Sequence, residues 1–344
     1  MKNNHFDPNA KAALDSGIFG LPYSVEEAAL VLLPVPWEVT TSYGGGTSQG
    51  PLAILHASKQ VDLFDYDLKN FHEAGIAMCE ISHEVQQWNH DARILAEIVI
   101  TAEEDEPNLE KTLQSVNAYS KKLNDYVYTE SKKILDQGKK LGLVGGDHST
   151  PFGAIKAFLE RYPEMGILHI DAHADLRHAY EGFEHSHASI MHNVITKTSL
   201  KKLVQVGIRD FCEEEFNFIH EHRSRIQTFF DAALFNDKMN GKSWSALCDE
   251  IIAHLPNDVY ISFDIDGLDP RYCPHTGTPV PGGLDFQEAI YLIKKVVESG
   301  RKIIGFDLNE VSPGNAEGEW DANVGARILY KLCGYTLNSG SKNM

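Results

Sequence analysis

No two cysteines of this 344-residue sequence stand in C-x-x-C spacing; Cys79, Cys212, Cys248, Cys273 and Cys333 are scattered. That argues against a zinc ribbon or a disulfide framework and makes a reducing cytoplasm the expected setting. No stretch approaches the roughly eighteen apolar residues of a membrane-spanning helix, and the first twenty residues, MKNNHFDPNAKAALDSGIFG, hold no continuous apolar run. A soluble, unexported protein is expected. Basic residues are scarce: 31 Lys and Arg stand against 49 Asp and Glu, for a formal net charge of -18. Such a balance disfavours a nucleic-acid partner and mildly attracts cations. There is no linker rich in Gly, Ser or Pro and no evident internal repeat, so residues 29–338 are expected to form one domain, with residues 1–28 as an N-terminal arm.

Eight apolar runs bounded by Gly, Pro or Asp are present. They are ALVLLPV (29–35), GIAMC (75–79), LGLVG (141–145), GILHI (166–170), LVQVGI (203–208), IQTFF (226–230), VYISFDI (259–265) and IIGFDL (303–308). Most precede a segment with helical spacing of apolar residues. Continuous rather than alternating apolarity suggests strands buried on both faces, and the alternation of strand with helix predicts a parallel α/β sheet with helices on both sides. The charged stretch from about Glu80 to Lys140 is expected to hold a long helix, with TAEEDEPNLE (101–110) as an exposed turn before it.

In open parallel sheets, binding sites form just beyond the carboxyl ends of the strands. Three such places are crowded. LGLVG leads into Gly-Asp-His-Ser-Thr-Pro (146–151), GILHI into Asp-Ala-His-Ala-Asp (171–175), and VYISFDI carries Asp264 and Asp266 ahead of Gly-Leu-Asp-Pro (267–270). Strand residues two apart point to one face, so Asp171 and His173 can converge, Asp175 can return as the chain curls away, and Asp264 and Asp266 repeat the spacing. Carboxylates gathered without compensation repel and are pushed toward protonation, whereas divalent cations keep them ionised. The set His148, Asp171, His173, Asp175, Asp264 and Asp266 is too large for a four-coordinate structural zinc but suits two cations sharing carboxylates, manganese first. Two cations about 3.5–4 Å apart lower the pKa of water held between them, which points to hydrolysis. A lone D-x-D at a strand end is more often a turn device than a ligand pair; the joint occurrence of three motifs, each closing an apolar run, carries the reading. His169, inside such a run, reads as a hydrogen-bonded core residue rather than a ligand.

The segments G-G-D-H, D-A-H-A-D and S-F-D-I-D-G-L-D-P resemble the signature motifs of the ureohydrolase family, which includes arginase and agmatinase. PWEVTTSYGGGTSQGPLAI (36–54) is similar to the family's Gly-rich N-terminal loop, TGTPVPGGL (276–284) to its loop after the ligands, and GFDLNEVSP (305–313) to its last strand. The resemblance implies an arginase-like three-layer α/β/α sandwich around an eight-stranded, mostly parallel sheet. It also implies two Mn²⁺ per chain, with Ni²⁺ as the alternative. His148, Asp171, Asp175 and Asp264 would hold one ion, His173, Asp171, Asp264 and Asp266 the other, with Asp171 and Asp264 bridging. Asp175 is counted as catalytic together with His187, which fits the place of the family's proton-shuttling histidine, with His185 next and His192 close by. Glu310 matches the carboxylate that receives the substrate guanidinium through charge-assisted hydrogen bonds. A homo-oligomer, trimer or hexamer, is further implied.

Arginases read an amino-acid head group through a D-x-N start and a Ser/Asn-rich loop after the D-A-H-x-D motif. Here Asp175 is followed by LRHAYEGFEHSHAS, which resembles the agmatinase type instead. Hydrolysis of a small cationic guanidino compound to urea and an amine is expected, agmatine to putrescine first. Free guanidine with nickel, guanidinobutyrate and guanidinopropionate are alternatives, and arginine a poorer one. A one-zinc N-acyl deacetylase and a metal-binding protein without turnover are readings of another class, against which the six ligands, His187 and Glu310 speak. His275 stands where the family usually reads P-G-T-G-T-P, a change that touches the loop but no expected ligand.

Overall fold

The computed structural model describes residues 6–13, 15–102, 108–314 and 319–340. Each of the eight apolar runs forms a strand: β1 Leu30–Val35, β2 Ile76–Met78, β3 Lys140–Gly145, β4 Gly166–Ile170, β5 Lys202–Ile208, β6 Ile226–Phe230, β7 Asp258–Asp264 and β8 Lys302–Asn309. They lie in one sheet in the order β2-β1-β3-β8-β7-β4-β5-β6. Every pairing is parallel, so the sheet is wholly rather than mostly parallel. At least one helix lies between each strand and the next, which returns the chain to the same edge before it re-enters the sheet.

The sheet separates two apolar cores because alternate residues of a strand face opposite ways. In β1, Leu30 and Leu32 enter one core, and Val31, Leu33 and Val35 the other. The first core is covered by Gly50–Ala57, Asp231–Met239, Trp244–Ala253, Phe286–Glu298 and Trp320–Asn338. The second lies under His83–Thr101, Leu109–Asp136, Phe152–Arg161, Ile190–Lys197 and Glu213–Glu221. This is the expected three-layer α/β/α sandwich.

The stretch from Glu80 to Lys140 holds two helices. Leu109–Asp136 is the expected long one, and His83–Thr101 precedes it, capped by Ser82, whose side chain accepts the Val85 N–H. Val85, Trp88, Ala92 and Ala96 bury its inner face at helical spacing, an apolar period diluted in the sequence by the charges between them. The expected turn TAEEDEPNLE (101–110) is shorter than that, since Thr101 ends the first helix and Leu109 and Glu110 begin the second, and residues 103–107 lie outside the described residues. Within the first 28 residues, Ile18, Phe19 and Leu21 are buried, and the Phe19 ring meets Tyr330 edge-on at 4.9 Å. No helix among the described residues is long and apolar enough to cross a membrane.

Where β3 leaves the sheet, close packing requires two glycines. A β-carbon on Gly145 would strike the side chains of Asn309 and Thr150, and one on Gly146 the carbonyl oxygen of Trp37. That same carbonyl accepts the Asp147 N–H at 2.7 Å, so the chain crosses the end of β1 in contact and delivers His148 to the middle of the sheet edge. Gly146→Ala is expected to force this crossing apart and destabilise the protein by about 1–3 kcal/mol. Urea unfolding reads this as a lower midpoint at unchanged slope; a loss below about 0.5 kcal/mol would count against the close crossing.

Candidate metal centre

The four middle strands end side by side in the order β3, β8, β7, β4. His148 follows β3, Glu310 follows β8, Asp264 closes β7 and Asp171 follows β4, so residues distant in sequence meet at one edge. Local chemistry sets their spacing. Asp171 Oδ1 accepts the His173 N–H at 2.6 Å, Asp264 Oδ1 accepts the Asp266 N–H at 2.9 Å, and Asp266 Oδ1 accepts the Ala172 N–H at 3.0 Å. In each motif the first aspartate closes a turn onto the backbone two residues on. Turn device and ligand pair are therefore one arrangement: Oδ1 of each first aspartate shapes the turn, while Oδ2 of both faces His148. Asp175 and Glu310 both adopt left-handed backbone, with φ of 55° and 64°, unusual for residues with a β-carbon. Glu310 is held there by its N–H on the Gly146 carbonyl and by the Thr276 hydroxyl on its own carbonyl, each at 2.7 Å.

His148 Nδ1 lies 3.0 Å from Asp171 Oδ2, 3.1 Å from Asp264 Oδ2 and 3.3 Å from Asp175 Oδ2. His173 Nδ1 lies 3.1 Å from Asp266 Oδ2 and 3.5 Å from Asp171 Oδ1. Two groups result, and Asp171 belongs to both. Among the described residues no Lys or Arg pairs with any of the four aspartates; their only ion-pair partners are imidazoles. Burial, reinforced by Asp171, pushes the Asp175 carboxyl well above the ordinary carboxylate range; burial with Asp266 and Asp171 does the same to Asp264. Burial alone would raise Asp171 too, but the facing imidazoles of His169, His148 and His173 hold it well below.

The donor set fits divalent cations. His148 Nε2 lies 2.9 Å from Ser262 Oγ, whose proton goes to Asp307 Oδ1 at 2.9 Å. Ser262 therefore accepts from Nε2–H, and Nδ1 is turned toward three carboxylate oxygens, an arrangement that needs a proton or a cation between them. His169 is different. Its Nε2 faces Asp171 Oδ2 at 2.7 Å and its Nδ1 faces Gln205 Nε2 at 3.0 Å, so although it lies within the first group, neither nitrogen is free to ligate.

A cavity of about 410 Å³ opens over these groups, walled also by Glu310, His187, Arg177 and Asp210. Glu310 Oε1 accepts the His148 N–H at 2.9 Å. Oε2 lies 3.4 Å from where a β-carbon on Gly277 would sit, so glycine there keeps that oxygen uncrowded. His187 lines the cavity, its N–H donating to Thr40 Oγ1 at 3.1 Å and its Nδ1 3.3 Å from the same oxygen. Burial, then the imidazoles of His173 and His148, bring His187 down to about 4. His185 instead packs on Phe152 with ring centroids 5.1 Å apart, and His192 lies between His178 and Phe218. Thr40, Ser262, Asp307 and Asn309, whose Nδ2 donates to Asp307 Oδ1 at 2.6 Å, carry no motif of their own in the sequence, where His169 reads only as core. The two-residue spacing of 169 to 171, 262 to 264 and 307 to 309 was the available signal, since each pair shares a strand face.

His148 is held well above its ordinary value and His173 is pushed up to about 12. Burial would lower both, but the surrounding aspartates outweigh it. Both raised values mean that protons occupy the ring nitrogens at neutral pH. Mn²⁺ uptake at pH 7 is therefore expected to release at least one proton, and affinity to weaken as pH falls. Calorimetric titration in two buffers of different ionisation enthalpy measures this; equal heats in both would contradict it.

The chain is similar to known proteins. A Synechocystis N(1)-aminopropylagmatine ureohydrolase is 29% identical over 99% of each chain, and the enzyme of that name from Thermus thermophilus is 32% identical over 91% of each. The crystal structure of the agmatine ureohydrolase of Thermoplasma volcanium superimposes with a TM-score of 0.70 at 25% identity, covering 91% of this chain and 92% of that one. The arginase family model matches residues 28–334, a span that takes in all eight strands and every residue of the site, and the chain belongs to the arginase family.

Proposed function

We propose that this chain is a two-cation ureohydrolase that cleaves a small guanidino compound to urea and an amine, with agmatine the first substrate and Mn²⁺ the first metal. One observation carries the reading: two imidazoles and four buried carboxylates lie beneath a cavity whose wall holds Glu310. Residues 29–338 would act as one catalytic unit. His148, Asp171, Asp175 and Asp264 would hold one cation and His173, Asp171, Asp264 and Asp266 the other. When bound, such a pair neutralises the carboxylates, polarises the substrate and lowers the pKa of water. Burial, then the neighbouring Asp147, push the Glu310 carboxyl well up, and a guanidinium is the partner that restores its ionised form. Oε2 would take that guanidinium and fix its carbon over the site, replacing an encounter by a positioned attack. Water oxygen adds to that carbon, and the bond to the alkyl-bearing nitrogen breaks. His187, held at Nδ1 by Thr40, would take up through Nε2 the proton that the adding water gives up and pass it to the departing nitrogen, which lets it leave as a neutral amine.

The outer wall bears on the substrate's tail. Asp210 is largely exposed, and its only ion-pair partner among the described residues is His173 at 3.9 Å, so it suits the amine of agmatine. Agmatinase and aminopropylagmatine ureohydrolase among the relatives support that choice. Arg177 supports a second reading, a guanidino acid such as guanidinobutyrate: its guanidinium lies 4.8 Å over Tyr180 on the same wall, shared with Glu215 at 3.6 Å.

Urea release with Mn²⁺ and, separately, Ni²⁺ across agmatine, guanidinobutyrate, guanidinopropionate, guanidine and arginine should rank agmatine first and arginine low. Guanidinobutyrate first would favour the Arg177 reading, cleavage of guanidine alone with nickel would remove agmatine, and no urea from any member would end the proposal. His187→Ala should keep two metals and lose about 10²–10⁴-fold in turnover, whereas His185→Ala should stay near wild type; the reverse pattern would transfer the role. Glu310→Gln keeps the shape without the charge, so KM for agmatine should rise and kcat fall with both metals retained; wild-type kinetics would sink the guanidinium assignment.

A further inference from the structure

Asp171 is the carboxylate common to both groups, and its orientation is set by a row of side chains that runs across three strands. His169 on β4 is in register with Gln205 on β5, and Gln205 with Thr228 on β6. Thr228 Oγ1 donates to Gln205 Oε1 at 2.9 Å, Gln205 Nε2 lies 3.0 Å from His169 Nδ1, and His169 Nε2 lies 2.7 Å from Asp171 Oδ2. The Gln205 carboxamide has one workable orientation, because its Nε2 also donates to the Ala174 carbonyl at 2.8 Å; turned over, it would set oxygen against oxygen. An amide nitrogen only donates, so His169 Nδ1 must accept, and the proton of the neutral ring sits on Nε2. There it can do one thing, which is to donate to Asp171. His169, Gln205 and Asp171 are fully buried, so solvent does not compete for these bonds.

We propose that Thr228, Gln205 and His169 form a positioning row that locks His169 as a hydrogen-bond donor and so holds Asp171 with Oδ2 toward His148 and Oδ1 toward His173. None of the three is a catalytic residue. Without the row, His169 could adopt the other tautomer and present a lone pair to the carboxylate, which would turn Asp171 away from one group or the other. The consequence for cation binding rests on the two-cation reading above; the tautomer does not.

The test uses the full chain, with histidine labelled by ¹⁵N and the His169 signals assigned by their loss in His169→Phe. The metal-free wild type should show a protonated Nε2 and an unprotonated Nδ1 at His169. Gln205→Met, close in volume, should lose that pattern and bind Mn²⁺ 10–100-fold more weakly, the usual effect of removing a group that orients a ligand; Thr228→Val should shift both in the same direction by less. A folded Gln205→Met protein with wild-type Mn²⁺ affinity, or a wild type protonated on Nδ1, would overturn the proposal. Should Gln205→Met fail to fold, the wild-type pattern and Thr228→Val decide it. A wild type that binds no Mn²⁺ would remove the two-cation reading, and the ¹⁵N pattern alone would then decide the row.

Discussion

Asp171, Asp175, Asp264 and Asp266 are buried around two imidazoles with, among the described residues, no lysine or arginine paired to them, and most of the remaining architecture answers to that concentration of charge. Taking a carboxylate out of water costs several kcal/mol unless hydrogen bonds and opposite charge replace the lost solvation. Part of the replacement is backbone: the N–H groups of His173, Ala172 and Asp266 each donate to one of these carboxylates. The rest must come from protons or from cations. Only cations leave every carboxylate ionised and both Nδ1 atoms available, which is the physical ground for reading the site as a metal centre rather than as a polar core.

Holding such a site open demands a frame that does not relax around it. Four adjacent strand ends provide one, because each is hydrogen-bonded on both sides and packed between two cores. The less regular parts are tied to it individually. Glu38 Oε2 accepts the N–H groups of Gly46 and Ser48 at 2.7 and 3.0 Å, and Arg93 Nη1 donates to the Thr41 carbonyl at 2.6 Å, so the Gly-rich segment is pinned at both ends. That pinning places Thr40 against His187. Arg209 Nη2 donates to the carbonyls of Asp266, Leu268 and Val280 at 2.7, 3.1 and 2.9 Å, fastening the loop after Asp266 to the cavity wall. Two of the seven described non-glycine residues in left-handed backbone, Asp175 and Glu310, present carboxylates to the site.

What could be read from the sequence alone was what depends on neighbours along the chain. Continuous apolar runs marked all eight strands, and polar residues closing them marked His148, Asp171, His173, Asp175, Asp264 and Asp266, because strand burial and two-residue alternation are local properties. The three-dimensional arrangement decided what depends on partners far apart. Strand order brings β3, β8, β7 and β4 together although they are third, eighth, seventh and fourth in the chain, and no local pattern encodes which strand lies beside which. Side-chain environment was equally out of reach. His185 and His187 are two residues apart in the same segment, yet one packs on Phe152 and the other lines the cavity. His169, one apolar-strand residue among many in the sequence, gains its place only because register sets it beside Gln205. Residue type and spacing specify which groups can ligate, stack or donate; which of them meet is settled by the packing of helices against a sheet whose register is fixed over long range.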